Sequence, residues 1–305
     1  MKEKELTLLS DDIQKDNITL SPTTNGIKSG YLYQDFRLFH IADKSDKTFD
    51  YHYHEFNKIV ITLSGNVTYF IEGKTYILKP WDILLVNNHD VHKPVIDPSQ
   101  VYDRIIIWVD SSFLKKFSHP DCDLTTCFRL ADKKSFNLVR LDPALQERLQ
   151  YILIHLEQAF ASKEFGSHLL SQSLFLEFLI YLNRIHLTNT YIYDPNSMEY
   201  DNQIVEMIAY IKENIGKDLS VDTLANHFFL SKHYLMHKFK TKTGYTLHNY
   251  ILNRRLFKAT ELIREGMSIS SAAAYCGFQD YSTFLRAFKK QYHCSPREFF
   301  KSSEE

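Results

Sequence analysis

The spacing of hydrophobic positions changes along the chain, and each change marks a new kind of structure. Between about Tyr31 and Asp110, apolar and polar residues alternate in short runs, the period-two signature of strands with one face turned inward. The expected strands are Tyr31–Ala42, Asn57–Leu63, Val67–Glu72, Lys74–Leu78, Ile83–Val86 and Arg104–Val109. Turn-forming clusters such as Ser64-Gly65-Asn66, Glu72-Gly73-Lys74 and Asn87-Asn88-His89-Asp90 divide them. Many short strands at this spacing predict an all-β barrel or sandwich. After Leu141 the period becomes helical. Leu145, Leu149, Ile152, Leu153 and Leu156 share one face, and Leu170, Leu174, Phe178, Leu182 and Ile185 share another, with Gly166 between them. An antiparallel helical hairpin is predicted. The polar, aperiodic stretch from Thr188 to Tyr200 reads as a linker, and a new helix begins near Asp201, with Ile204, Ile208, Ile211 and Ile215 on one side.

Between Leu219 and Phe300 one pattern occurs twice: a short helix, a tight turn, then a helix that is aromatic beneath and basic outside. Ala225 and Ala273 are the small residues that let each helix pair cross closely, while Phe239 and Phe288 anchor each second helix. Ser231 and Asp280 stand where a side-chain oxygen caps that helix. The outward stripe of the first copy is then Lys232, His233, Met236, His237 and Lys240. In the second it is Tyr281, Ser282, Leu285, Arg286 and Lys289, with Lys290 alongside. Hydrogen-bond donors, apolar contacts and cations together are what a DNA major groove asks of its reader. His233, Met236, His237, Tyr281, Ser282 and Leu285 are expected to meet bases, and Ser231, Lys232, Lys240, Arg286, Lys289 and Lys290 to meet phosphates. Thr246 to Glu265 reads as one intervening helix, a rod of about 30 Å against roughly 34 Å for a turn of B-DNA. One chain would then read two successive grooves.

These residues resemble the arabinose-operon regulator (AraC/XylS) family of bacterial transcription factors. The resemblance covers about a third of the chain and rests on Leu224-Ala225, Leu230-Ser231, Tyr234-Leu235, Phe239-Lys240, Thr243-Gly244, Gly277-Phe278, Phe284, Phe288-Lys289-Lys290 and Ser295-Pro296-Arg297-Glu298-Phe299. It implies a DNA-binding domain of seven helices with base contacts near the positions named above. Ala272 departs from the usual aliphatic residue, and Cys294 from a commoner Val, Met or Leu.

The string His52-Tyr53-His54, followed by Lys58, Ser64-Gly65, Pro80-Trp81-Asp82 and His92, looks like a cupin barrel of the sort joined to DNA-binding domains in the same family. In metal-binding cupins two histidines, a glutamate and a later histidine converge on one ion. His52, His54 and His92 match three of those positions, but Lys58 stands at the fourth, and a cation there repels a divalent ion. A metal-free pocket without cofactor is therefore the preferred reading, and a three-histidine zinc or iron site the alternative. Candidate pocket residues are Arg37, His52, His54, Tyr69, His92, Arg104 and Trp108. Which face of Arg104–Val109 points inward is not legible, because both faces are largely apolar. Many family members respond to carbohydrates and others to ureas or aromatic acids, so the resemblance implies a small-molecule effector, with a sugar the class expected first.

Composition refines this picture. The net charge of −1 conceals 15 Lys and Arg against 11 Asp and Glu in residues 200–305, and 21 against 26 in the rest. The positive part is the one that carries the DNA signature. Four cysteines without tight spacing argue against a disulfide or zinc framework. No apolar run is long enough to span a membrane, and the Lys/Glu-rich start lacks the core of a signal peptide, so a cytoplasmic protein is expected. Apolar surface beyond one stripe on the hairpin, including Phe175, Leu176, Leu179 and Tyr181, points to homodimerisation, with Leu170, Leu174, Phe175, Phe178 and Leu182 as the expected dimerisation residues.

The expected organisation is α+β with two domains: an N-terminal arm (1–30), a cupin-like barrel (31–140), a helical dimerisation hairpin (141–187), a linker (188–200) and a double helix-turn-helix domain (201–305). The expected function is a ligand-responsive, sequence-specific regulator, an activator of a carbohydrate-utilisation operon, with promoter DNA and RNA polymerase as partners and no enzyme activity. The competing readings are a metal-dependent cupin enzyme fused to a DNA-binding module and a DNA binder without effector.

Overall fold

The computed structural model describes residues 32–301 apart from 33, 45–47, 135 and 193; the expected N-terminal arm lies outside the described residues. The chain divides into two compact units, residues 1–199 and 200–305.

The first unit is built on two antiparallel sheets. One has the order β1 (Phe36–Asp43), β7 (Tyr102–Val109), β2 (Asn57–Ser64), β5 (Ile83–Val86), β8 (Leu138–Val139). The other has the order β6 (His92–Ile96), β3 (Val67–Ile71), β4 (Lys74–Ile77), β9 (Met198–Tyr200). Strands β2 and β7 are buried almost end to end, which explains why their two faces look alike in sequence. Register separates the faces: Lys58, Val60 and Thr62 lie opposite Trp108, Ile106 and Arg104, whereas Ile59 and Ile61 lie opposite Ile107 and Ile105. Val60 packs with Val67, Tyr69, Ile71 and Tyr76 of the second sheet, so the Arg104, Ile106 and Trp108 face looks into the space between the sheets. The Ile105, Ile107 and Val109 face packs on helices.

Those helices are α1 (Ser111–Lys116), α2 (Thr126–Lys133), α3 (Pro143–Ala161) and α4 (Ser167–Thr188). Helix α3 starts where Asp142 accepts the backbone N–H groups of Ala144 and Leu145 at 2.9 and 3.0 Å, with Pro143 in the first turn. Gly166, at φ +77°, makes the turn into α4. His40 on β1 ties the hairpin to the sheet, 2.7 Å from Glu157 of α3 and 2.9 Å from Asp103 of β7. The Glu157 contact, with the added charge of Asp103, overcomes partial burial and pushes the imidazole up to about 9.

Two expectations need correction here. Phe175, Phe178 and Leu182 do not form an outward dimerisation face, because all three are fully buried against the first sheet. Helix α4 is apolar on two sides, and sequence alone did not say which side met the sheet. The exposed apolar residues of the hairpin are Leu170, from the expected set, together with Tyr151, Ile154, Phe160, Phe165, Leu169 and Leu187; Leu174 is half-buried. The stretch 188–200 is also more ordered than its aperiodic sequence suggests. It contains a 3-10 turn at Pro195–Ser197 and then β9, and Arg140 secures it by binding Asp194 at 2.9 Å and the Ser197 hydroxyl at 2.6 Å.

Among the described residues the second unit has seven helices: α5 (Asn202–Glu213), α6 (Val221–His227), α7 (Lys232–Thr243), α8 (Leu247–Arg264), α9 (Ile269–Tyr275), α10 (Tyr281–Tyr292) and α11 (Pro296–Lys301). Their starts are capped by side chains where the sequence has Asp201, Ser220, Ser231, Thr246, Ser268 and Asp280, one each for α5 to α10. Phe239, Tyr250, Phe284, Phe288 and Tyr292 form the aromatic interior.

Candidate functional site

The paired helices α6–α7 and α9–α10 repeat each other in detail. The turn of the first closes with Leu230 N–H on the Ala225 carbonyl at 2.9 Å, and the turn of the second with Phe278 N–H on Ala273 at 3.1 Å. Both turns pass through a left-handed residue, Phe229 at φ +54° and Gly277 at φ +80°. Both second helices stop at another, Gly244 at +76° and His293 at +59°. Ala225 and Ala273 are 48 residues apart, but the caps Ser231 and Asp280 are 49 apart, so Gln279 is an extra residue in the second turn. The two reading helices therefore leave their turns differently.

Gly277 has no room for a side chain. An added Cβ would lie 3.0 Å from the Gly216 carbonyl oxygen and 2.9 Å from the Arg255 guanidinium. That guanidinium donates to the carbonyls of Ile215, Gly277 and Lys217 at 3.1, 3.0 and 2.7 Å, fastening the entry to α6 and the second turn onto α8. Arg255 was not singled out by sequence, because its three partners lie 22 to 40 positions away. Gly277→Ala is expected to destabilise the second unit by roughly 1–3 kcal/mol, from the left-handed φ together with the crowding. Chemical unfolding of the variant against the parent measures it, and an unchanged midpoint would refute the account.

The outward stripes lie where sequence placed them. His233, Met236, His237, Lys232 and Lys240 are exposed on α7, as are Tyr281, Ser282, Arg286, Lys289 and Lys290 on α10, while Leu285 is half-buried. Leu235, Phe239, Phe284 and Phe288 fill the opposite faces. The His233 and His237 rings stand parallel at 6.3 Å, one helical turn apart. Ser231 uses its hydroxyl to accept the Tyr234 N–H at 3.3 Å, and Lys232 pairs with Asp222.

In the first unit the expected pocket residues fall into two groups. The first is His52, His54, His92 and Trp108. His52 and His92 sit opposite each other in an isolated antiparallel bridge, with N–H to carbonyl distances of 3.0 and 2.8 Å in the two directions. His54 is held by its own carbonyl, which accepts the His89 N–H at 2.7 Å. The three imidazole centroids are 4.4 to 5.1 Å apart. His54 lies flat on Phe56 at 4.6 Å, and Phe56 stacks in turn on Trp108 at 4.6 Å. One face of the indole is thus already covered, which removes part of the surface expected for a sugar ring. Burial holds the His52 imidazole down at about 4, with the Lys58 charge adding to it. His54 and His92 are held well below the usual range by burial, then by neighbouring imidazoles, His92 and His52 acting on His54 and His52 on His92, and by Lys58. All three are neutral at pH 7. Both nitrogens of His54, Nε2 of His92 and Nε1 of Trp108 are buried without a hydrogen-bond partner among the described residues.

The second group is Arg104 and Tyr69, with Tyr102, which was not among the expected residues, beside them; Arg37 belongs to neither group. Arg104 donates to the Tyr102 carbonyl at 2.8 Å, pairs with Asp43 and lies over the Tyr102 ring at 4.6 Å. Tyr69 is buried among the inter-sheet residues. Arg37 lies opposite Trp108 on β1, with its guanidinium 5.0 Å from the Phe39 ring centroid. Asp82, in sequence a member of the cupin-like string, is fully buried and binds Arg140 through both carboxylate oxygens, at 2.7 and 2.6 Å.

Comparison with known proteins follows the same division. Residues 38–179 match the AraC-like ligand binding domain, and residues 224–302 match a helix-turn-helix domain. The HTH-type transcriptional activator RhaS of Escherichia coli O157:H7 is 22% identical over 270 residues, covering 82% of this chain and 87% of that protein. Among solved structures, unsaturated fatty acid bound ToxT from Vibrio cholerae is 14% identical, covers 87% of this chain and 93% of its own, and gives a TM-score of 0.36. The C-terminal domain of AraT, a response regulator from Geobacillus stearothermophilus, is 24% identical over 33% of this chain and 86% of its own, with a TM-score of 0.33. Among the described residues, no helix is long and apolar enough to cross a membrane.

Proposed function

We propose, from a chain that belongs to the AraC family of transcription regulators and joins an AraC-like ligand-binding domain to a helix-turn-helix DNA-binding domain, that it activates transcription in response to a small organic effector. The observation that carries the DNA half is the pair of exposed stripes on α7 and α10, each capped at its start and each the outer face of an aromatic core. Helix α8 has 18 residues, a rod of about 27 Å, close to the spacing of successive major grooves. His233, Met236 and His237 would read one half of the operator, and Tyr281, Ser282 and Leu285 the other. The lysines and arginine around them would supply the phosphate contacts that give affinity and salt dependence.

The effector half rests on the polar atoms buried between the sheets without partners. Each costs about 1–3 kcal/mol until something supplies the missing hydrogen bond. A bound molecule with hydroxyl or carboxylate groups would do so, and a carbohydrate is the class the family resemblance favours. Homodimerisation through the exposed apolar residues of the hairpin, contact with RNA polymerase and residence in the cytoplasm belong to the same reading.

The experiment is a thermal-shift screen of sugars and sugar acids on the full chain. Footprinting of the upstream promoter follows, with and without each compound that binds. Protection that changes in extent or affinity with the bound compound is expected. Identical footprints at every salt concentration with a compound that demonstrably binds would overturn the effector reading.

A further inference from the structure

The three histidines of the first unit have a geometry that binding of an organic effector does not require. The Nδ1 atoms of His52 and His92 lie 2.8 and 2.9 Å from the carbonyl oxygens of Asp50 and Asp90, each two residues back in the chain. A carbonyl only accepts, so both Nδ1 atoms carry the proton and both Nε2 atoms keep a lone pair. His54 completes the group, 5% exposed and without a partner on either nitrogen among the described residues. One nitrogen from each ring lies within 4.8 Å of the other two. Three neutral imidazoles thus gather their nitrogens in a buried place where no hydrogen bond from the described residues satisfies His54 or the Nε2 of His92.

A metal ion resolves this arrangement. Imidazole nitrogens suit zinc and its neighbours in the first transition row, at roughly 2.0–2.1 Å for zinc, and modest ring rotations would bring the three together at that distance. A backbone carbonyl on the opposite ring nitrogen is the outer-shell contact that orients a metal-binding histidine and fixes its tautomer. We propose that His52, His54 and His92 together bind one divalent transition-metal ion, zinc foremost, and leave at least one coordination position for a ligand oxygen.

This changes the weight given to Lys58. Its charge reaches all three rings, and it is the register partner of Trp108 on the same sheet face. Beside a divalent ion it lowers affinity, and it favours an anionic oxygen at the open position. Lys58 therefore tunes the site and does not forbid it. The metal and the effector draw on the same unpartnered histidine nitrogens, but their tests are separate: metal uptake is read without any organic compound, and effector binding is read on the chelator-stripped chain, so failure of one is distinguishable from failure of the other.

The test uses the full chain, stripped with a chelator and titrated with zinc by calorimetry and with cobalt by visible absorption. One ion per chain is expected, with cobalt bands of nitrogen coordination. Cobalt should also quench Trp108, whose ring centre is 6.2 Å from that of His54. His52→Asn and His54→Asn should each weaken binding by roughly tenfold to a hundredfold or more, with circular dichroism confirming that the variants fold. Lys58→Gln removes no ligand and should tighten zinc by roughly tenfold or more, a readout that survives even if the histidine variants fail to fold. Failure of the folded parent to take up zinc, cobalt or nickel at one per chain overturns the proposal. So does uptake that is unchanged in folded histidine variants, which would place the ion elsewhere, or zinc affinity that Lys58→Gln leaves unchanged.

Discussion

Replacing Asp82 with alanine is expected to lower the stability of the first unit by about 3–5 kcal/mol, the usual loss when one partner of a buried ion pair is removed. Asp82 is fully buried, and it accepts the Lys79 backbone N–H at 2.7 Å as well as both nitrogens of Arg140. Arg140 is itself mostly buried, so the variant leaves a guanidinium with half of its hydrogen bonds gone. The remaining partners, Asp194 and Ser197, belong to the segment that follows the hairpin. Lys79 also binds Asp194 at 3.0 Å, and that hydrogen bond leads the contacts that hold the Asp194 carboxylate down at about 2. Asp82→Ala should therefore loosen residues 194–197 along with the sheet edge. Urea unfolding of the full chain, followed by tryptophan fluorescence, reads the first unit alone, because Trp81 and Trp108 are the only tryptophans. A loss below about 1 kcal/mol would mean that water replaces the carboxylate without strain.

The double change His233→Ala with Tyr281→Ala should remove about 2–6 kcal/mol of specific binding, taking roughly 1–3 for each base-reading side chain. The two residues are on different helices in separate helix-turn-helix units, so their losses should nearly add. Each single change should relax sequence preference in one half of the operator and leave the other half as strict as before. Affinity measured on duplexes with every base of the site varied in turn distinguishes the halves. Equal weakening on cognate and random duplexes would remove both residues from the reading set and assign them to the phosphate contacts. Tyr281 is 43% exposed and packs beside Phe284, so the melting curve of its variant belongs in the comparison.

The DNA-binding unit was legible because its signals are local. A cap, a 3.6-residue period and a small residue at a crossing all lie within one helix pair, and the repeat supplies each signal twice. The first unit was less legible because its determinants are remote. Strands β2 and β7 are apolar on both faces, so period gave their existence but not their orientation. Helices α1 and α2 have six and eight residues, too few to establish a period against the strands before them. Strand β6 contains a proline and opens with a buried histidine, which hides its alternation. Asn137 binds the Tyr76 hydroxyl at 2.9 Å and the Leu85 carbonyl at 2.8 Å, contacts more than 50 residues away that no local pattern reveals. Phe175, Phe178 and Leu182 lie inside for a related reason, since a helix with two apolar sides does not say which side meets its own sheet.

Strand β2 is a partition one residue thick. Lys58, Val60 and Thr62 face one compartment and Ile59 and Ile61 the other, and each compartment has its own cluster of buried residues. Protein interiors compress little, so volume added on one side of such a wall has to be taken up on the other. A molecule that entered between the sheets would therefore press on the hairpin through β2 itself, with no hinge or moving loop needed to carry the displacement.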